Sequence, residues 1–364
     1  MPKVGVMAMK SAEDVGLQSS KWMSGLGPDG EIVMSSRVRL ARNIQQFPVP
    51  FLASDSQLSR VAEQVLAASC LLREQMGDLN FLRMDHLEPL QRQVLVEKHL
   101  ISPLLIKEPH NSAVLLRGDE AISIMVNEED HLRIQCLLPG LQLEMALEEA
   151  NCCDDLLEAN MDYAYDGQWG FLTTCPTNAG TGLRASVMVH LPALVLTKQI
   201  NRVLSAIAQV GLAVRGMYGE GSEVAGNLVQ ISNQITLGQS ENEIVKNLSG
   251  VTRQVVEQEA QARQILLNEG RDRICDRVNR AFGILSHSWL MSSQEAMQLL
   301  SDVRLGVDLG LIREVPGTIL KELMVLLRPA CLQLVAGRAL EGMDRERERA
   351  RLIRSWLMSE EDAE

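Results

Sequence analysis

Apolar residues recur at helical spacing between Ser54 and about Leu105, at Leu58, Val61, Val65 and Leu66 and then at Leu90, Val94 and Leu95, which predicts helix lying over one face of a core. The rhythm then shortens. Residues 121–126 and 132–136 alternate with period two on either side of Asn127-Glu128-Glu129-Asp130, the pattern of a hairpin with an acidic tip. Further strand-like runs follow at 170–173, 185–190, 212–214 and 228–235, each bounded by turn residues. Beyond about Ser240 the pattern is helical almost throughout, over 243–268, 271–290, 292–300, 318–335 and 344–357, with Ser292 and Glu295 spaced as a capping box.

Helices interspersed with strands of mainly hairpin connectivity place the first part of the chain in the α+β class, and the remainder reads as a helical bundle. Three regions are expected: a flexible leader over 1–30, ending in the turn-rich Gly25-Leu26-Gly27-Pro28-Asp29-Gly30; an α+β domain over 31–250; and a helical domain over 251–364, with the boundary near Gly250.

Composition narrows the class. A chain of 364 residues has room for about two domains, and with aromatics at only 3% the interior must be filled by Leu, Met, Val and Ile. A net charge of -12 argues against a general nucleic-acid binder and against adhesion to anionic membrane, and it suits a cationic substrate or a basic protein partner. Met1 to Gln18 lacks the apolar core of a signal peptide, and no apolar run reaches the ~20 residues of a membrane span. Cys70, Cys136, Cys152, Cys153, Cys175, Cys275 and Cys331 form no C-x-x-C pair and no cluster with histidine, as expected of reduced thiols in a cytoplasmic protein. His86, His110, His131, His190 and His287 show no metal-ligand spacing and read as packed or surface residues.

The candidate chemistry lies in Arg37, Arg39, Arg133, Arg184 and Arg215, which stand on separate segments rich in glycine, serine or carboxylates. Planar guanidinium forks match phosphate oxygens bidentately, so a convergent set could hold a triphosphate; no G-x-x-x-x-G-K-[ST] loop is present to do so. Taken singly, each arginine reads as a solvated or ion-paired surface residue, and residues 128–130 as a polar turn. The glycines at 180, 182, 216, 219 and 221 serve turns with positive φ, close approach of amides to phosphate, or both.

Four segments, taken together and in order, resemble the ATP:guanidino phosphotransferase family, which includes the creatine and arginine kinases. They are Ser35-Ser36-Arg37-Val38-Arg39-Leu40-Ala41-Arg42-Asn43, Asn127-Glu128-Glu129-Asp130-His131-Leu132-Arg133, Cys175-Pro176-Thr177-Asn178-Ala179-Gly180-Thr181-Gly182-Leu183-Arg184-Ala185-Ser186, and Arg215-Gly216-Met217-Tyr218-Gly219-Glu220-Gly221, and the likeness spans roughly 31–248. It implies an antiparallel-sheet guanidino-kinase domain using ATP, with Mg²⁺ held mainly by the phosphates and no direct protein ligand. ATP contacts are implied for Ser35, Ser36, Arg37, Val38 and Arg39; for His99, on the adenine or ribose side; for Arg133; for Arg184, Ala185, Ser186, Val187 and Met188; and for Arg215, Gly216, Met217, Tyr218, Gly219 and Glu220. Phosphorylating a guanidinium, which is protonated at neutral pH, requires a carboxylate that orients the cation and accepts its proton. The resemblance assigns this role to Glu129, a second gripping carboxylate to Glu220, and a third contact to Cys175, an orienting group rather than a covalent nucleophile.

Only 36 residues precede Arg37, and the additional helices follow the catalytic part, a layout similar to the bacterial protein-arginine kinases of this family. That likeness implies a homodimer formed through the C-terminal helices and a phosphoarginine-sensing R-D-x-x-R-A motif, matched here by Arg345, Glu346, Arg349 and Ala350 with glutamate in place of aspartate. Without it, Arg345 to Arg354 reads as a solvated helix face with partners three residues apart, such as Glu346 and Arg349. The implied partners are protein substrates with exposed arginines, an activator protein, a heat-shock repressor and a Clp-type chaperone-protease. Two alternatives stand beside this reading: a kinase for a free guanidino metabolite, disfavoured by the short N-terminal segment, and a non-catalytic client adaptor, disfavoured by intact Glu129, Glu220, Cys175 and the five arginines.

Overall fold

Val33–Arg42 (β1) lies near the middle of an eight-stranded antiparallel sheet, and its alternating side chains set the two faces of the α+β half. The computed structural model describes residues 19–23, 27–216 and 225–357. The other strands are Leu79–Arg83 (β2), Ala113–Arg117 (β3), Ile122–Val126 (β4), Leu132–Pro139 (β5), Leu183–His190 (β8), Leu212–Gly216 (β9) and Leu228–Asn233 (β10), and Tyr165–Asp166 (β6) with Gly170–Phe171 (β7) forms a separate small hairpin. Strand order is β2-β3-β4-β5-β1-β8-β10-β9. Val38, Leu40, Ile134, Ala185 and Ile231 on one face are buried under Asp55–Met76 (α1), Leu143–Glu158 (α3) and the first half of Glu241–His287 (α6). Burying each large aliphatic side chain there contributes about 1.5–3 kcal/mol.

Pro89–Glu97 (α2), Pro192–Leu196 (α4) and Ile200–Gln209 (α5) complete the α+β half. The second half of α6, with Ser293–Asp308 (α7), Gly317–Leu326 (α8), Pro329–Ala336 (α9) and Gly342–Leu357 (α10), builds a separate helical core around Ile274, Leu300, Leu323 and Ile353. Gly250, the expected boundary, lies inside α6, which leaves helical geometry only at Gly270 (φ -146°, ψ 31°), where membership of the first core gives way to the second.

Several elements differ from the sequence pattern. The helix expected from Ser54 to Leu105 is two helices with an edge strand between them: Gly77, at φ 84°, ends α1, Leu79 and Phe81 point inward from β2, and Pro89 opens α2. β1 escaped the strand pattern because its polar positions face a cleft instead of solvent. The run 170–173 pairs only at Gly170–Phe171, and 318–335 divides at Pro329, whose ring cannot continue a helix. The Ser292 hydroxyl accepts from the Glu295 amide at 3.2 Å, one half of the expected capping box.

The part of the leader that is described is docked rather than loose. Trp22 and Met23 are buried in a cluster with Val94, Leu137, Val325, Ala330 and Cys331, the Trp22 indole donates to the Lys98 carbonyl at 3.3 Å, and Ser20 bonds Glu120. Gly27 packs so closely on the chain that a Cβ there would lie 2.3 Å from the Pro139 carbonyl oxygen.

Candidate active site

Antiparallel register carries the five arginines onto one face. Arg39 stands opposite Arg184 on β8 and Gln135 on β5, Arg37 opposite Ser186, Arg133 opposite Ala41, and Arg215 opposite Gln230, which itself faces Met188. Cross-strand partners share a face, so segments far apart in sequence converge. The Arg37 guanidinium donates to Gln230 Oε1 at 3.1 Å and to Ser186 Oγ at 3.4 Å. Burial, then the charges of Arg133 and Arg184, push Arg37 down to about 10. Burial, with Arg37, Arg133 and Arg184 adding, holds Arg39 well below the usual arginine range, and its buried Nε makes no hydrogen bond. Crowded cations with an unmatched donor fit a polyanion: a triphosphate would remove the mutual repulsion and fill the donor.

Two cavities meet at Arg39 and Arg133. The larger, about 1250 Å³, is bounded by Arg37, His99, Met125 and Gln135, and on its far side by Gln298 and Arg328 of the helical half. The smaller, about 200 Å³, holds Glu129, Cys175, Asn178, Arg184 and Arg215. A nucleotide suits the first volume and an arginine side chain the second. His99 adopts φ 62°; its carbonyl accepts from Gln135 Nε2 at 2.9 Å and its ring lies 5.9 Å from that of Trp22. Burial, then Arg328 and Arg37, keep its imidazole neutral by pushing its pKa well down.

The acidic side of the smaller cavity is built by the β4–β5 hairpin. Arg133 binds Glu128 at 2.7 Å and Glu129 at 3.1 Å. Burial raises the Glu129 pKa, Arg133 opposes that shift, and Asp130 and Glu128 add to it. Asp130 is almost fully buried and ties the hairpin to the facing loop, accepting from Asn43 Nδ2 and from the Thr174 amide, both at 2.7 Å. The next residue but one beyond that amide's nitrogen is Pro176, and between them stands Cys175, whose Sγ lies 3.0 Å from Thr177 Oγ1. Gly180 holds this loop against the 236–237 segment at φ 102°; a Cβ there would lie 2.5 Å from the Thr236 carbonyl oxygen. A carboxylate of raised basicity sharing a small cavity with a thiol and cations can orient a guanidinium and take its proton.

Not every residue implied by the motifs joins the array. Ser35, Ser186 and Met188 share the arginine face, but Ser36, Val38, Ala185 and Val187 alternate onto the other. The Ser36 hydroxyl donates to the Gly140 carbonyl and accepts from the Gln142 amide, and the other three side chains are in the core, so these four offer a nucleotide backbone at most. Gly216 ends β9, and Met217, Tyr218, Gly219, Glu220 and Gly221 lie outside the described residues. Gln135, Gln230, Asp130 and Arg328 were missed; for the first two, period-two spacing from Arg133 and within β10 was the available signal, and Asp130 adjoins Glu129. Among the described residues no group of three or more His, Cys, Asp and Glu has metal-holding geometry.

On α10 the expected solvated face is in fact partly internal. Arg349 is buried and donates to the Leu327 carbonyl at 3.1 Å and the Met291 carbonyl at 2.8 Å, Ala350 lies in the helical core, Arg345 donates to the Leu340 carbonyl at 2.9 Å, and the Glu346 carbonyl accepts from the Met291 amide at 3.2 Å. Arg347 pairs with Asp344 on the exposed side, whereas Arg351 reaches from solvent to the buried Glu348. Arg349 thus satisfies the carbonyl of Leu327, which caps the end of α8, and that of Met291 in the α6–α7 connection.

Residues 60–262 match the family described as ATP:guanido phosphotransferase, C-terminal catalytic domain, and residues 271–364 match that described as Protein-arginine kinase McsB C-terminal domain. The chain is 54% identical to a protein-arginine kinase of Halothermothrix orenii over 338 residues, 93% of this chain and 96% of that one. It is 54% identical to a protein-arginine kinase of Halalkalibacterium halodurans over 344 residues, 94% and 97% of the two chains. Among solved structures, lombricine kinase superposes with a TM-score of 0.57 at 24% identity over 70% of this chain and 71% of that one, and the duplicated taurocyamine kinase of Schistosoma mansoni with 0.56 at 23% over 65% and 34%. These last two likenesses speak to the fold.

Proposed function

Since the chain belongs to the ATP:guanido phosphotransferase family, we propose that it performs the reaction its bacterial relatives are named for, transferring the γ-phosphoryl group of ATP to arginine side chains of proteins. The observation that carries this reading is the pair of cavities sharing Arg39 and Arg133, with Glu129 and Cys175 on the far side of that shared wall from His99. ATP lies in the larger cavity with its terminal phosphate toward the shared arginines, and the target guanidinium enters the smaller one. A nitrogen of that guanidinium attacks phosphorus, the bond to the β-phosphate oxygen breaks, ADP leaves, and the proton passes to Glu129. The arginines neutralise the equatorial oxygens, and Mg²⁺ carried by the phosphates supplies further charge neutralisation. Cys175 orients the cation, and Glu220 grips its other edge on the strength of the motif.

The finer assignments extend the same reading. The products are marked for Clp-type proteolysis, Arg345, Glu346, Arg349 and Ala350 sense phosphoarginine, and the helical half pairs two copies of the chain; exposed Trp289 and Met343 on that half support the pairing. An activator protein and a heat-shock repressor complete the set of partners. Seven free thiols and the use of ATP support a cytoplasmic setting, and among the described residues no helix is long and apolar enough to cross a membrane. Incubation with ATP and a casein-like protein, followed by mass spectrometry that preserves acid-labile P–N bonds, tests the proposal. Phosphoarginine on the protein is expected; phosphate on free arginine or creatine alone would favour a metabolite kinase, and client delivery unchanged in Glu129→Ala would favour an adaptor.

A further inference from the structure

The wall of the larger cavity that faces the sheet belongs to the helical half, and one charged side chain on it reaches the nucleotide-side histidine. Arg328, the residue before α9, donates through Nη2 to His99 Nε2 at 3.2 Å and through Nη1 to the Glu97 carbonyl at 3.0 Å. The connection is reciprocal. The Glu97 carboxylate accepts from the amides of Ala330 at 3.0 Å and Cys331 at 2.8 Å, capping α9. Beneath it Trp22, Val94, Leu137, Val325, Ala330 and Cys331 pack as one apolar cluster, so the loop bearing His99 and the start of α9 form a single latch.

A guanidinium has five donors and no acceptor. The nitrogen of His99 that meets Arg328 must therefore present its lone pair, and the proton of the neutral ring must sit on Nδ1. The ring is kept neutral by burial and by the charges of Arg328 and Arg37. Its backbone is held by Gln135.

We propose that Arg328 is a positioning residue of the nucleotide site: it fixes His99 as the Nδ1-protonated tautomer and anchors it to the helical half, so that the ATP pocket is complete only when α9 is docked. This rests on reading the larger cavity as the ATP site. The helical half then does more than pair subunits or sense a modified residue, because any movement of α9 releases the clamp on His99 without altering the acceptor cavity.

Two measurements test it on the full-length chain. In Arg328→Ala the KM for ATP should rise about tenfold or more, as for loss of a charge-assisted hydrogen bond, while kcat at saturating ATP changes less than about twofold, and Arg328→Lys should recover part of the loss. An unchanged KM in a folded Arg328→Ala protein, or a fall confined to kcat, overturns the proposal. Independently of activity or of how the variants fold, long-range ¹⁵N–¹H spectra of histidine-labelled wild-type protein should give His99 the pattern of an Nδ1-protonated, Nε2-accepting ring, and the opposite tautomer overturns it. If the wild type transfers no phosphate to protein, the reading of the reaction fails while the tautomer measurement still decides the placement of Arg328.

Discussion

Arg39 and Arg184 stand directly opposite one another on neighbouring antiparallel strands, two cations in register at the centre of a sheet. Like charges so placed oppose folding. Burial and three neighbouring arginines already depress the Arg39 pKa, and its Nε lacks a hydrogen bond. Such an arrangement trades stability for anion binding. Arg39→Gln should therefore leave the melting temperature without ligand unchanged or higher, by an amount corresponding to about 0.5–1 kcal/mol, while sharply reducing the rise that ATP confers. Thermal melts with and without ATP check both directions; a lower melting temperature with an undiminished ATP shift would count against the account.

Glu129, the proposed proton acceptor, has a raised pKa and should set the acid side of the pH–rate profile. The group must be ionised to take the proton, so activity should fall with decreasing pH through a limb lying above the ordinary glutamate range, and Glu129→Gln should abolish activity by several orders of magnitude. For stability the sign is opposite to that of a carboxylate held low by its partners. The fold favours protonated Glu129, so its favourable contribution is present below the unfolded-state value and is lost as pH rises through the raised folded one. Glu129→Gln should consequently not lower the melting temperature at pH 8.

Gly180 is a conformational requirement of the Cys175 loop. A methyl group there meets the Thr236 carbonyl at φ 102°. Gly180→Ala should destabilise the protein by about 1–3 kcal/mol and lower kcat more than it raises the KM for ATP, because the displaced loop lines the acceptor cavity. Denaturant melts with steady-state kinetics separate the two effects.

Arg349 and Glu346, neighbours in the proposed sensor, should respond differently. Arg349→Ala leaves two buried carbonyls without their donor and should cost roughly 2–3 kcal/mol, seen as a fall of several degrees in melting temperature. Glu346→Ala loses a partly exposed side chain, while the contact it makes with Met291 runs through its backbone, so its melting temperature should hold and only a response to phosphoarginine should change.

What the sequence disclosed follows from where each signal lies. The arginines and Glu129 sit in dense local motifs, and strand period two is enough to send Arg37 and Arg39 to the same face. The same period shows why Val38 and Ala185 face the core: a contiguous motif does not distinguish the side chains that reach a ligand from those alternating away. Arg328 carries no local signal, since the arginine before a proline reads only as a helix end, and its contacts with Glu97 and His99 form where α9 docks on α2. Trp22 was hidden likewise, as its burial needs partners from α2, β5 and α9 at once. The edge strand β2 was obscured because its few apolar positions also fit the helical pattern on either side.

In the proposed reaction the five arginines hold one polyphosphate whose terminal group faces Glu129. A crystal structure with a non-hydrolysable ATP analogue and an arginine-containing peptide tests it most directly. The γ-phosphate is expected between Arg39 and Arg133 and the peptide guanidinium within hydrogen-bond reach of Glu129. A triphosphate bound away from the arginine face, or a guanidinium that does not meet Glu129, would contradict it.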